Sequence, residues 1–356
     1  MKRNLLALAV GAAVLLPLTA QATPTVYGRL NLSVDYTKMN DKTVSPSVKS
    51  SNWEVNSNAS RVGIKGSEKL SDDFTAVYKA EWEVSGDTQG VADLTGRERY
   101  VGLKHGNLGT IRLGAIDSPL KTSEDQVDVF NDLNNLDMKN FISGQTRLNN
   151  SINYVSPKIL DVFGANVTLQ PGESGKLPAN SKNHLADAYS AAFSYEDDSL
   201  YLSAAFDKKV SSTISANAAA NLGIVTTAPR DATRLVARYK MGDFVVAGLI
   251  QKSKLNKSAD KADESAIVLS AAYTMDKLTY KGEIISASVK GNNAAAIVAA
   301  APEEKDKISL IGVGVDYAYT QNTKVFANLA SGKDKYSNGG GSETGMQLGT
   351  GVEVRF

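Results

Sequence analysis

The C-terminal segment of the chain alternates between apolar residues and polar or small residues up to Phe356. A period of two residues places successive side chains on opposite faces of a β-strand. One face would carry Met346, Leu348, Val352, Val354 and Phe356, and the other would carry Gln347, Gly349, Gly351, Glu353 and Arg355. An apolar face that continues to the last residue is out of place at the edge of a soluble domain, whereas in a membrane barrel it contacts hydrocarbon. The segment is therefore predicted to be the closing strand of a transmembrane barrel.

The N-terminal segment has the three parts of a secretory signal peptide. Two basic residues precede an apolar run over 5–18, and a small-x-small cleavage site ends at Ala22. The alternative, an N-terminal membrane anchor, is disfavoured because the run is shorter than the ~20 residues of a spanning helix. We expect a cleaved signal peptide over 1–22 and a barrel domain over 23–356. The mature chain would then cross the periplasm to the cell outer membrane.

Charge and cysteine content exclude several classes of protein. The chain contains no cysteine, so it can form neither a disulfide framework nor a thiolate metal site. Of its 39 basic residues, 37 remain after the two in the signal segment are removed, against 38 acidic residues. This balance argues against a nucleic-acid-binding protein. We expect no cofactor and no metal site, because no residue spacing demands one.

The two-residue alternation recurs along the chain, at positions 26–35, 74–84, 163–170, 189–195 and 311–317. Helical spacing does not fit these runs. Seven short polar turns alternate with eight long polar loops, an arrangement typical of a membrane barrel with short periplasmic turns. The long loops are predicted around 37–58, 86–96, 117–146, 171–186, 208–231, 253–263, 289–306 and 332–342. The fold is predicted to be all-β, a sixteen-stranded antiparallel transmembrane β-barrel.

The longest loop, about residues 117–146, is the first candidate for a functional element, because sixteen strands enclose an aqueous channel whose narrowest point controls passage. Its acidic residues are Asp117, Glu124, Asp125, Asp128, Asp132 and Asp137. Apolar residues such as Phe130 and Leu136 would anchor it to the inner wall of the barrel. We therefore predict a constriction loop that points carboxylates into the pore. The alternative is a surface loop with a solvated acidic face.

The wall opposite this loop is expected to be basic. The alternation places Arg29, Arg61, Arg112 and Arg147 on the polar faces of their strands, and leaves Arg97 and Arg99 ambiguous. Facing rows of opposite charge would create a strong transverse field in a narrow pore. For each arginine, the alternative is a salt bridge to a neighbouring carboxylate on the wall.

Several motifs resemble those of the general porins of the Gram-negative outer membrane. The motifs are Val26-Tyr27-Gly28-Arg29-Leu30, residues 60–68, residues 100–104 with 108–114, residues 150–154 and the terminal phenylalanine strand. The resemblance implies a homotrimer, a third long loop folded into the lumen, and a basic cluster that matches Arg29, Arg61, Arg97 and Arg147. It also implies that the strand ending at Phe356 is read by the outer-membrane assembly machinery. The third loop lacks the Pro-Glu-Phe-Gly-Gly stretch of enteric porins, so the chain looks closer to the environmental and marine branch.

The predicted function is passive diffusion of ions and small hydrophilic solutes across the outer membrane, with lipopolysaccharide and outer-membrane lipid as surroundings. Three alternatives remain open. A porin specific for a sugar or an anion would need an aromatic slide or a dense lysine cluster. A secreted β-rich adhesin would bury its apolar faces between two sheets. An enzyme is disfavoured because neither His105 nor His184 has a catalytic partner at a recognisable spacing.

Overall fold

A computed structural model describes residues 24–88, 94–173, 183–256, 258–299, 301, 303–336 and 341–356. The predicted signal peptide, residues 1–22, lies outside the described residues. Within the described ranges, no helix is both long enough and apolar enough to cross a membrane.

The described part of the chain is built almost entirely from antiparallel strands. They are β1 (Thr25–Asp41), β2 (Val48–Ser57), β3 (Arg61–Lys69), β4 (Phe74–Val84), β5 (Leu94–His105), β6 (Gly109–Asp117), β7 (Arg147–Val155), β8 (Phe163–Gln170), β9 (Ala188–Glu196), β10 (Leu200–Thr213), β11 (Thr227–Met241), β12 (Phe244–Leu255), β13 (Lys261–Met275), β14 (Leu278–Asn292), β15 (Glu304–Ala318), β16 (Thr323–Tyr336) and β17 (Ser342–Arg355). Three short helices lie between them: α1 (Pro119–Thr122), α2 (Ala216–Leu222) and α3 (Ala294–Val298), with a 3₁₀ turn at Met138–Asn140.

The sheet closes on itself through β1. On one side β1 pairs with β17, where Leu32 lies opposite Val352. On the other side its upper half pairs with β2 and its lower half with β3. β2 and β3 therefore share one position in the wall, and the seventeen segments form a closed barrel of sixteen strands. This confirms the predicted fold class, and one closed sheet replaces the two packed sheets expected of an adhesin.

The predicted short turns are confirmed, but several predicted long loops are shorter than expected. The region 37–58 is mostly a hairpin, because β1 continues to Asp41 and β2 begins at Val48. The region 208–231 shortens in the same way, since β10 ends at Thr213 and β11 begins at Thr227. These hairpin ends extend beyond the apolar belt. A strand there needs no apolar outer face, so the hydrophobic alternation does not reveal it.

The barrel is apolar outside and polar inside. In β17, the Leu348 side chain is 51% exposed on the outer face, whereas Gln347 is 8% exposed and faces the lumen. The same inversion holds in β1, where Val26 and Leu30 face outward and Asn31 and Asp35 face inward. The predicted faces of the terminal strand are therefore confirmed, since hydrocarbon takes the place of a hydrophobic core on the outer side.

The main apolar cluster lies inside the lumen, where the loop between β6 and β7 packs on the wall. Phe130, Leu136 and Met138 of the loop are fully buried against inward residues such as Val268 and Ile285 of β13 and β14. Each buried side chain of this size contributes roughly 1.5–3 kcal/mol. The loop is thus fixed to one side of the barrel by hydrophobic packing.

Two glycines make the seat for the Phe130 ring. A Cβ atom added to Gly312 or to Gly314 would lie 2.9 Å from the ring, closer than packing allows. The wall of β15 is therefore flat where the ring lies against it. Glycine at both positions lets the loop approach the strand backbone directly.

A second segment also folds inward. The connection between β10 and β11 contains α2, whose Ala218 and Leu222 are buried in the same apolar cluster. Asn221 donates a hydrogen bond to Asp306 on β15, at 3.2 Å. This alanine-rich stretch therefore lies over the inner wall at the mouth of the barrel.

Candidate pore constriction

The loop that was predicted to form the constriction comprises residues 118–146, between the end of β6 and the start of β7. Ser118 caps α1 by accepting a hydrogen bond from the Lys121 backbone amide at 3.0 Å, and Pro119 occupies the first helical turn. The Ser118 amide donates to the Thr146 carbonyl at 3.0 Å and closes the neck of the loop. The Leu120 amide donates to the hydroxyl of Ser190 on β9, so the loop turns into the lumen at once.

Polar side chains on the wall against which the loop packs hold both ends of the loop. The buried Arg234 of β11 donates to the carbonyls of Leu120, at 3.0 Å, and Ser143, at 3.3 Å. Glu264 of β13 accepts from the Ser143 amide and hydroxyl, and Gln251 of β12 donates to the Ser143 carbonyl. The sequence analysis missed these three wall residues. Their position on the polar face of alternating strands was the available signal.

Three of the six predicted loop acids are buried and accept hydrogen bonds from other groups of the loop. Glu124, Asp128 and Asp137 are only 6%, 7% and 6% exposed. Asp128 accepts from the backbone amides of Phe130 and Met138, at 3.0 and 2.9 Å. Asp137 accepts from the Asp132 amide at 3.0 Å. The prediction that these acids point into the pore is therefore corrected for Glu124 and Asp137. Asp128 lines the polar cavity beside the loop tip, but each of its two oxygens accepts from a buried backbone amide that needs an acceptor.

Glu124 is paired inside the loop. Its carboxylate accepts from the Gln145 amide at 2.6 Å and lies 3.4 Å from the Arg234 guanidinium. Burial raises the pKa of Glu124 to about 7, although Arg234 and Lys121 act in the opposite direction. The Glu124 carboxyl group therefore becomes protonated at a pH well above the range that is usual for glutamate.

The other three acids keep some contact with water. Asp132 accepts from Arg29 at 2.8 Å and from Arg61 at 2.7 Å, and so joins the loop to the opposite wall. Burial would raise the pKa of Asp132, but Arg61 and Arg29 outweigh it and lower the pKa to about 2. The loop tip is therefore an anion held between two cations.

Asp125 and Asp117 lie at the edges of the loop. Asp125 is 2.9 Å from Arg238 of β11. Asp117 lies 2.9 Å from Arg147 and 3.1 Å from Lys121 at the loop base. Both acids are ion-paired, and the Asp117–Arg147 pair is the kind of salt bridge that the alternative interpretation of the wall arginines described.

The wall opposite the loop carries a chain of charges on β1, β3, β4 and β5. The Glu81 carboxylate of β4 lies 2.7 Å from a nitrogen of Arg97, 3.6 Å from that of Lys79 and 4.0 Å from one of Arg61. The Tyr27 hydroxyl also donates to Glu81, at 2.8 Å. One carboxylate thus forms ion pairs with three basic side chains. Lys79 was not predicted, although its place on the polar face of β4 was visible in the alternation.

Arg112 lies on the same side of the lumen without a carboxylate partner among the described residues. Its guanidinium donates to the Asn153 amide oxygen at 2.9 and 2.7 Å. The guanidinium also lies 5.0 Å from the centre of the Tyr100 ring. Its full positive charge is therefore held in place by neutral groups.

Arg99 does not belong to the pore wall. It lies opposite Ala80 of β4 and on the same outer face as Val101 and Leu103, which are exposed. The register of β4 and β5 shifts between Ala80 and Trp82. This bulge turns Arg97 inward while Arg99 remains outside, so the prediction for Arg99 is wrong.

A polar cavity of about 260 Å³ lies beside the loop tip. It is lined by Arg29, Asp132, Lys281, Lys324, Glu353 and Arg355, among others. Lys281 and Lys324 share the carboxylate of Asp316, at 3.1 and 2.9 Å. The charged side chains that line this cavity are four cations, Arg29, Lys281, Lys324 and Arg355, and three anions, Asp128, Asp132 and Glu353.

Phe356 lies at the seam of the barrel. Its backbone amide donates to the Gly28 carbonyl at 3.1 Å, and the Gly28 amide donates to the Phe356 carbonyl at 2.8 Å. The ring is 61% exposed on the outer side. A Cβ atom at Gly28 would lie 2.3 Å from the ring, so glycine is required beside it.

A family model described as Gram-negative porin matches residues 7–349 of the sequence. The chain belongs to the Gram-negative porin family. The major outer membrane protein P.IB of Neisseria sicca is 33% identical over 131 residues, which cover 36% of this chain and 35% of that protein. The corresponding protein of Neisseria meningitidis serogroup B is 26% identical over 212 residues, or 57% of each chain. The chain thus matches well under two thirds of the length of these relatives.

Solved structures agree on the fold. An anion-selective porin from Comamonas acidovorans has a TM-score of 0.71 at 20% identity, with 94% of this chain and all of that chain covered. OmpT, an outer membrane protein of Vibrio cholerae, has a TM-score of 0.63 at 17% identity, with coverage of 96% and 99%. At these identities the likeness supports the architecture alone.

Family and fold together place this porin in the bacterial outer membrane. The family is one of porins and not of enzymes, which confirms the expectation that the chain is not an enzyme. Among the described residues, no group of three or more histidines or acids has a geometry that could hold a metal ion.

Proposed function

We propose that this porin is a passive diffusion channel for ions and small hydrophilic solutes, with a charged constriction between the 118–146 loop and the basic wall. The observation that carries the proposal is the placement of Asp132, which reaches Arg29 and Arg61 on the opposite wall. A solute must pass beside this bridge, between fixed charges of both signs. Such a field orients polar solutes and disfavours apolar ones, which cannot replace the ordered water.

The charges on the path favour anions. Basic side chains along it are Arg29, Arg61, Lys79, Arg97, Arg112, Lys121, Arg147, Lys281, Lys324 and Arg355, and acidic side chains are Glu81, Glu83, Glu98, Asp117, Asp132, Asp316 and Glu353. Of the three buried loop acids, Glu124 and Asp137 lie inside the loop, and Asp128, which lines the cavity beside the loop tip, offsets only part of this excess. A net positive lining lowers the energy of an anion and raises that of a cation. The Comamonas porin of similar fold is described as anion-selective.

We further propose that the channel works as a homotrimer within outer-membrane lipid and lipopolysaccharide. The strand that ends at Phe356 would act as the signal for the assembly machinery. Support comes from membership of the porin family and from the exposed ring of the last residue.

Planar-bilayer recording of purified protein across a KCl gradient tests these proposals. The expected result is stepwise conductance in groups of three. The sign of the reversal potential should indicate that anions permeate more readily than cations. Block by one particular anion or sugar would instead favour a substrate-specific porin. Folded protein that gives no conductance would overturn the channel proposal.

A further inference from the structure

Four acidic side chains from four neighbouring strands lie side by side on the inner face at the mouth of the barrel. In the register, Asp41 of β1 lies opposite Glu343 of β17, and Glu343 lies opposite Asp334 of β16. Asp306 of β15 lies opposite Tyr336, one inward position further out than Asp334. The mouth acid row, as we call it, consists of Asp41, Asp306, Asp334 and Glu343. These residues are far apart in the sequence, so no spacing along the chain indicates the row.

No basic side chain balances this row. Within the described ranges, none of the four acids has a lysine or an arginine at salt-bridge distance. Deeper in the lumen, by contrast, Asp316 is paired with both Lys281 and Lys324. Like charges directly opposite one another destabilise a strand pair. The row therefore requires a cation that the described part of the chain does not supply.

Two members of the row are buried, and each has an oxygen without a hydrogen-bond donor. Asp306 and Asp334 are 0% and 7% exposed, and the Oδ1 atom of each accepts no hydrogen bond from any described group. The two carboxyl groups lie within hydrogen-bonding distance of each other. A buried carboxylate oxygen without a partner is costly. The pair therefore needs either a cation or a shared proton.

The space beside this pair suits a hydrated cation. One pair further into the lumen, Gly345 of β17 lies opposite Gly332 of β16. A Cβ atom added to Gly345 would meet no described atom within 4 Å, and one added to Gly332 would lie 3.6 Å from its nearest neighbour. Asp41 and Glu343 are half-buried, so the row is accessible from the mouth.

The helix α2 lies over the row and carries neutral ligands. Asn217 donates to Oε2 of Glu343 at 3.2 Å, and Asn221 donates to Oδ2 of Asp306 at the same distance. Each side-chain amide also has an oxygen, and a half-turn of the amide would present that oxygen in place of the NH₂ group. Carboxylate oxygens, amide oxygens and water are the ligands that Ca²⁺ takes, about six to eight at a time.

We propose that Asp306 and Asp334 bind a hydrated divalent cation of the Ca²⁺ type, with Glu343 and the amide oxygens of α2 as its outer partners. Three acids do not converge on one point, so water completes the coordination, as expected of a site with weak affinity. The bound ion would join α2 to β15 and β16 and neutralise part of the row. Its binding does not depend on which solutes the pore conducts.

Equilibrium dialysis with radioactive Ca²⁺ tests the proposal. Each protein is refolded in an uncharged detergent without lipopolysaccharide, whose phosphates would bind Ca²⁺ themselves, and is measured in ~0.1 M KCl to screen non-specific attraction. Asp306→Asn with Asp334→Asn removes the buried pair. The matched control, Asp243→Asn with Asp276→Asn, removes two exposed acids in the short turns at the opposite end of the barrel.

The unmodified protein and the control should bind one Ca²⁺ per chain with a dissociation constant of about 0.1–1 mM. The mouth double variant should bind at least about tenfold more weakly, because loss of a partner even outside the first layer of ligands costs ~10–100-fold. No saturable binding by the unmodified protein, or equal binding by the two double variants, would overturn the proposal. So would binding that disappears in ~0.3 M KCl, which would show a diffuse layer of cations instead of a site.

Glu343→Gln is a milder variant that keeps the buried pair and provides the test if the double variant does not fold. It should weaken Ca²⁺ binding by up to about tenfold, because a unit charge roughly 6 Å from the ion is lost. Unchanged binding would place the ion away from the row and would contradict the proposal.

Thermal unfolding distinguishes a bound cation from a shared proton. In EDTA, the mouth double variant should be at least as stable as the unmodified protein, because two like charges and two unpaired oxygens have been removed. Ca²⁺ should raise the unfolding temperature of the unmodified protein and the control only. A double variant that is less stable in EDTA, with no effect of Ca²⁺ on any of the three proteins, would assign a shared proton to the pair and overturn the proposal.

A second readout rests on the proposed channel function. Ca²⁺ added on the side of the long loops should shift the reversal potential toward anions in the unmodified protein and the control, since it neutralises acids at the entrance. An equal shift in the mouth double variant would contradict the proposal. Because dialysis needs no conductance, a protein that binds Ca²⁺ without conducting would support this site and overturn the channel function.

Discussion

Replacement of Asp132 by asparagine tests the field at the constriction most directly. The Asp132 carboxyl group has a pKa of about 2, so it is ionised at neutral pH and carries a full negative charge between Arg29 and Arg61. An ion that passes roughly 7 Å away in a water-like dielectric interacts with this charge by about 0.6 kcal/mol. Loss of the charge favours an anion and disfavours a cation by that amount each.

The combined change of about 1.2 kcal/mol corresponds to a roughly eightfold increase in the anion-to-cation permeability ratio. The reversal potential of Asp132→Asn across a KCl gradient should shift accordingly toward anions. Single-channel conductance should remain of the same order, because Arg234, Glu264 and the apolar cluster still hold the loop.

A second variant distinguishes charge from geometry. Asp132→Asn combined with Arg61→Gln removes one charge of each sign and leaves the local net charge unchanged. Its reversal potential should return close to that of the unmodified protein. An unchanged potential in the single variant, a shift toward cations, or a double variant that stays as anion-selective as the single one would refute the electrostatic reasoning.

Five further variants test other parts of the structure. Arg61→Ala should raise single-channel conductance and move the reversal potential toward cations; an unaltered channel would remove Arg61 from the constriction. Arg99→Gln should leave the reversal potential unchanged, whereas Arg97→Gln should shift it toward cations, and a shift for Arg99 would contradict its outward orientation. The raised pKa of Glu124 means that its contribution to stability is present below pH 4.5 and is lost as pH rises to about 7, so the free energy of unfolding should fall by up to about 3 kcal/mol over that window. Glu124→Gln should remove this slope in denaturant titrations, and a variant with the same slope would assign it to another group. Deletion of Phe356 should lower the yield of folded barrel in cell membranes while protein refolded in detergent still conducts, and normal cellular yield would exclude an assembly signal.

The position of the wall charges was partly predictable. Arg29, Arg61 and Arg112 follow from alternation alone, because a period of two assigns each residue to a face without knowledge of its neighbours. The same rule gives Arg97 and Arg99 the same face. They lie on opposite faces because the bulge between Ala80 and Trp82 shifts the phase, and no pattern in the sequence signals that bulge.

The loop was predictable as an element and not in its details. Its length and its lack of alternation indicate a functional loop. Which acids face water could not be predicted, because the loop has no periodicity that would sort them. Asp128 became an acceptor for loop amides, and Asp132, four residues later, became the bridge to the wall.

Strand alternation in the sequence is enough to predict the closed barrel and the two faces of its wall, because alternation is a local property that recurs in each strand. The way in which the lumen is narrowed depends instead on tertiary contacts. The flat seat for Phe130 at Gly312 and Gly314, and the buried Arg234 that holds both ends of the loop, join residues far apart in the chain. Contacts of that kind depend on closure of the barrel, which brings the walls face to face.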